Sequence, residues 1–226
     1  MTLRSRMTLG ASLLTAALVA WIVAVDRMRG MDTGPGTDLG TLGWFIGIWV
    51  TMMAAMMLPS AAPTVLAVSS IRRGVDAWIF VAGYLLVWSA CGLLAYTVYR
   101  ALPSLVAWDH SGPWVAGGAL AFAGIYQLTP LKEACLRHCR SPLHFLLRGR
   151  RGPLGAVRMG VEHGAYCIGC CAGLMVALFA LGVMSLFWMA VVGAAILIEK
   201  LLPRGEAFAR VLGLALVGLG IWVAVA

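Results

Sequence analysis

Long uncharged apolar runs separated by short polar breaks set the pattern of this chain. Residues 9–25, 39–70, 77–99 and 114–131 each pass without a Lys, Arg, Asp or Glu, and a bilayer crossing needs about 20 such residues. Residues 163–202 hold two further spans with a hairpin at 182–185, and residues 207–226 form a last one. The pattern predicts an all-α, polytopic transmembrane bundle forming one membrane domain over residues 1–226, with about seven spans near 9–25, 39–69, 77–99, 114–131, 163–182, 185–202 and 207–226. The runs are unbroken rather than alternating, which argues against a β-barrel. The first run contains Trp21 and ends Val-Ala-Val-Asp without a small-x-small cleavage site, so it reads as a retained span rather than a signal peptide. Pro59 and Pro63 are expected to kink or end the second span.

Residues 27–38, 72–76, 100–113 and 132–162 read as connections, the last being the only long polar stretch. Composition agrees: 62% of residues are hydrophobic and 12% charged, where soluble domains carry about 25% charged residues. Lys and Arg near span ends are retained in the cytoplasm. With seven spans, thirteen of them fall on the side of the N-terminus and of loop 132–162, against three (Arg27, Arg29 and Arg100) on the other. The N-terminus and the basic loop are therefore expected in the cytoplasm. Topology and anionic lipid account for the net charge of +8, so nucleic acid is not an expected partner. No G-x-x-x-x-G-K phosphate loop is present, which argues against an ATP-driven pump. The glycines of the last span, Gly213, Gly218 and Gly220, read as close helix contacts.

Five of the six cysteines and three of the four histidines fall between Cys135 and Cys171. In KEACLRHCR, Cys135, His138 and Cys139 share one face if the chain is helical there until Pro142 stops it. In EHGAYCIGCC, His163, Cys167, Cys170 and Cys171 form a stripe that Met175 continues. Two such helices can complete a tetrahedral or trigonal soft-metal site. Packing alone gives no reason to gather thiols with histidines at helical spacing, although it suffices for lone Cys91. His110 and His144 read as interfacial residues. In the second span Met52, Met53, Met56 and Met57 form thioether stripes on one helix face. Such a stripe is more often packing than coordination, but its position in the cytoplasmic half, at a depth similar to that of the cysteines, leads us to expect a low-affinity entry or exit station for a soft ion there.

Several chemistries compete for these residues. A reducing cytoplasm disfavours structural disulfides, and c-type haem is excluded because Cys171 stands where C-x-x-C-H requires histidine. A thiol redox relay at Cys167-x-x-Cys170 remains as an alternative, without its usual βαβ context. The chain otherwise reads as a binding protein rather than an enzyme.

The blocks MMAAMMLPSAAP (52–63), YQLTPLKEACLRHCRSP (126–142) and GVEHGAYCIGCCAGLM (160–175), with the pair Glu199-Lys200, resemble a family of bacterial integral membrane proteins predicted to bind metal and without an assigned physiological role. The resemblance implies metal binding at the cysteines but names neither metal nor purpose. Ala172 stands where that pattern leads us to expect tryptophan, a departure that touches packing rather than ligation. Thiolate and thioether ligands together favour Cu(I), held by Cys135, Cys139, Cys167, Cys170 and Cys171 with His138 and His163 beside them and a metal-donor or acceptor protein as partner. The competitor is a structural Zn(II) staple made of Cys135, Cys139, Cys167 and Cys170.

Overall fold

The computed structural model describes residues 3–30, 39–71, 74–105, 108–141 and 152–225. Asp32, Gly34, Pro35, Gly36, Arg72, Arg73, Pro142, His144, Arg148, Arg150 and Arg151 lie outside them. Among the described residues there are eight α-helices and no strand: α1 (Leu3–Met28), α2 (Leu42–Ile71), α3 (Gly74–Leu105), α4 (Trp108–Gln127), α5 (Pro130–Arg140), α6 (Pro153–Leu181), α7 (Leu186–Leu201) and α8 (Gly205–Val225). Five of them, α1, α2, α3, α6 and α8, are long and apolar enough to cross a membrane. The other two expected spans fall short of that standard. Helix α7 has 16 residues, about 24 Å at 1.5 Å per residue, and α4 opens on Trp-Asp-His-Ser-Gly-Pro.

Two expected connections, and one expected break, are corrected. Helix α3 runs on to Leu105 and α4 starts at Trp108, so most of 100–113 is helical. Residues 132–140 belong to α5 and 153–162 to α6, so the long polar stretch is mostly helix as well. At the start of α6 the charges misled because Arg158 and Glu162 share the outer face, paired at 2.9 Å, while Ala156, Met159 and Gly160 are buried. Pro59 and Pro63 do not end α2, which continues through both to Ile71. Between them, Ser60 donates to the Met57 carbonyl at 2.9 Å.

The break between α4 and α5 is local chemistry. Residues before proline avoid the helical region, and Thr129 is extended, its hydroxyl accepting from the Lys132 N–H to cap a helix with Pro130 in its first turn. Helix α5 therefore turns away from α4 and lies against α6. The closest pairing elsewhere joins α4 to α8. A Cβ on Gly124 would come 2.5 Å from the Gly213 carbonyl, and one on Gly117 2.6 Å from that of Gly220. The expected glycine contact thus exists at Gly213 and Gly220, whereas Gly218 faces open space. Helices α2, α3, α6 and α7 surround the main core, which contains Trp49, Trp88, Tyr84 and the clustered cysteines.

Candidate metal centre

Helix α6 buries a stripe at helical spacing: His163, Cys167, Cys170, Cys171 and Met175 all face inward. The sulfurs of Cys167, Cys170 and Cys171 lie within 4.8 Å of one another. Helix α5 brings a fourth thiol, with Cys139 Sγ 3.6 Å from Cys170 Sγ, and Cys170 and Cys171 are 3.5 Å apart. Bonds of about 2.3 Å in a trigonal set would space sulfurs about 4 Å apart, so these thiols need only small adjustments to share one ion. The donors are soft, and water is excluded: Cys139 is 6% exposed and the other three are 1% or less.

The fifth cysteine of the expected set sits differently. Cys135 is half-buried, and its sulfur presses on Gly169, where an added Cβ would come 2.6 Å from it. The buried quartet is thus Cys139, Cys167, Cys170 and Cys171, with Cys135 set against Gly169. On α5, burial pushes the Cys135 thiol up. A hydrogen bond to Cys167, followed by burial, holds Cys139 well above the ordinary thiol range. His138 stacks on Tyr166 with ring centroids 4.6 Å apart and its Nδ1 2.8 Å from the Ala134 carbonyl. His163 is buried between the rings of Phe80 and Tyr84, each at 5.6 Å. Both histidines flank the thiols. Met52, Met53, Met56 and Met57 are buried in the same core as the thiols rather than turned outward.

Cys91 is half-buried and lines a cavity of about 380 Å³ with Trp49, Trp88, Ala172 and Phe179. A tryptophan at position 172 would fill part of that space. The side chain of His110 lies outside the described residues.

Several polar groups at the centre have no counterpart among the ligand candidates read from sequence. Lys200 of α7 donates to Cys167 Sγ at 3.0 Å and to Ser60 Oγ at 3.3 Å, and the Tyr84 hydroxyl is 3.0 Å from the same sulfur. Next to it Glu199 pairs with Lys132 at 2.7 Å, both buried, and accepts from Gln127 at 2.7 Å. Lys132, Gln127 and Ser60 stand inside the sequence blocks that carried the resemblance, which was their available signal. Tyr84 had none, being one aromatic in an apolar span. The counting of Lys132 and Lys200 as loop charges is corrected by their burial, which leaves eleven basic residues against three in the charge count of the expected seven-span arrangement.

Fold and site together define an α-helical protein with a buried soft-metal thiol centre flanked by lysine. The chain belongs to the PpoB2 family, described as copper chaperones, whose model matches residues 46–223. The match includes α5, α6, α7 and every cysteine. No curated protein and no solved structure matches the chain.

Proposed function

We propose that this protein holds Cu(I) at Cys139, Cys167, Cys170 and Cys171 within a membrane and hands it to or receives it from a partner protein. The carrying observation is the buried thiol quartet, drawn from two helices and paired with Lys200. Soft sulfur donors suit a monovalent soft ion, and the copper chaperone family supports the same metal. Cys135, His138 and His163 are assigned to the rim of the site, and Met52, Met53, Met56 and Met57 to weak thioether stations near it. Helices α4 and α7 complete the seven crossings, with the N-terminus and α5 on the cytoplasmic side of a bacterial inner membrane. In that setting a copper-loaded thiol site next to α5 meets a cytoplasmic donor or acceptor.

A buried Lys200 fits this role physically. A buried negative sulfur needs a compensating positive charge, and the ammonium at 3.0 Å from Cys167 supplies one before the metal arrives. The test is metal analysis of anaerobically purified protein. Near-stoichiometric Cu, lost in a Cys167→Ser, Cys170→Ser double variant, is the expected result. Neither metal present, or a content unchanged in that variant, overturns the proposal, and Zn without Cu selects the structural staple instead.

A further inference from the structure

Among the described residues, eight methionines are buried in the same contiguous core as the thiol quartet: Met28, Met52, Met53, Met56, Met57, Met175, Met184 and Met189. Their order along the bundle follows from the helix pairings. Gly10 packs against Leu66, so α1 is antiparallel to α2 and Met28 lies at the end where α2 begins. Gly193 faces Met56, and Lys200 reaches Ser60, so α2 and α7 run the same way. Helix α6 runs opposite to α7, to which the hairpin after Leu181 joins it. Cys167, Ser60 and Lys200 therefore mark one level, and the hairpin with Met184 marks the far end.

Distances from that level follow at 1.5 Å per residue. Met57, Met56, Met53 and Met52 precede Ser60 by three to eight residues, or about 5 to 12 Å. Met175 is eight residues beyond Cys167, about 12 Å away, and Met189 is eleven before Lys200, about 17 Å away. Met184 lies in the turn itself. Thioethers thus recur every few ångströms along this half of the bundle. The described buried charges Lys132, Glu199 and Lys200 all belong to the thiol end. Between that end and the hairpin, the buried side chains that could bind a soft cation are thioethers, which are neutral and carry no desolvation cost of a charge.

We propose that these methionines form a relay that passes Cu(I) between the hairpin end of the bundle and the thiol quartet. The relay rests on the copper reading above. Weak neutral donors let an ion move on, whereas the thiols retain it, so the relay governs rate and the quartet governs content.

Met→Leu changes conserve volume and are tolerated by cores, which makes the test direct. Purified wild type, a Met28→Leu, Met184→Leu, Met189→Leu triple variant and a Met159→Leu control are loaded from a Cu(I)–chelator complex while thermal unfolding is followed. Met159 is buried in the separate second core. The triple variant is expected to reach wild-type copper content about tenfold more slowly, as loss of a donor at the barrier predicts, with the control unchanged. Loading at the wild-type rate overturns the relay and leaves the copper site standing. A wild type that takes up no copper overturns the copper reading and the relay together. Should the triple variant unfold, Met189→Leu alone is read in its place against the same two outcomes.

Discussion

Lys200 Nζ donates to Cys167 Sγ at 3.0 Å from the last turn of α7, with both residues buried. An ammonium taken out of water survives only with partners, and Ser60 and Cys167 are its partners here. The pair thus links the metal centre to the helix that also bears Glu199. Replacement by methionine keeps the stem and removes the charge. Lys200→Met is expected to weaken copper retention by about 10- to 100-fold, the range found when a group supporting a metal ligand is lost. Competition with a Cu(I) chelator measures it. Unchanged affinity would reduce Lys200 to packing.

The neighbouring pair makes a different demand, on stability. Glu199 holds Lys132 of α5 and Gln127 of α4, so it ties three helices together beneath the site. Glu199→Gln leaves the Lys132 ammonium buried without its counter-charge, which costs about 3–5 kcal/mol. Adding Lys132→Met should recover much of that loss, because replacing a whole buried pair with apolar groups is often neutral. Unfolding of the single and double variants in detergent checks both values. A single variant as stable as wild type would contradict a structural role for the pair.

Much of this was legible in the sequence, for identifiable reasons. Apolar runs and helical spacing gave the all-α class and the stripe His163, Cys167, Cys170, Cys171, since one helix fixes which of its side chains share a face. Helix ends were less legible. Charge was taken as loop, whereas Arg158 and Glu162 pair on the exposed side of α6, and Lys132 and Lys200 are buried by partners on other helices. Which cysteine leaves the cluster depends on how α5 turns at Thr129, a tertiary matter that spacing within KEACLRHCR does not encode.

A thiol redox role predicts something else for the same atoms. Cys167 and Cys170 share one helix, and the Cys170 thiol donates to its own helix carbonyl at Cys167 at 3.2 Å, which turns it along the backbone. The copper reading expects both thiols to stay reduced in cells exposed to an oxidant, as judged by maleimide trapping. A disulfide that forms and reverses with the oxidant would favour the redox role.

Topology is open to a direct check. The corrected charge distribution still favours a cytoplasmic N-terminus. Reporter fusions within residues 142–151 should report the cytoplasm, and fusions in the 182–185 hairpin the opposite side. The reverse pattern would put the thiol centre near the other face and exchange the ends between which copper moves.

Cys135 and Cys171 distinguish the two metal readings most sharply. The zinc staple proposed from spacing uses Cys135 with Cys139, Cys167 and Cys170. The structure instead groups Cys171 with Cys170 at 3.5 Å and sets Cys135 against the Gly169 backbone. Recruiting Cys135 would draw its sulfur away from Gly169, whereas Cys139 on the same helix is already packed against Cys170 at 3.6 Å. Cys171 needs no such movement. Serine is nearly isosteric but a poor ligand for a soft ion, so it tests ligation with little change in packing. Cys171→Ser is expected to lose most bound copper, while Cys135→Ser retains it at wild-type level, measured as metal per chain after anaerobic purification. Loss of metal in Cys135→Ser with retention in Cys171→Ser would transfer the site to the other quartet and, were the metal zinc, establish the staple.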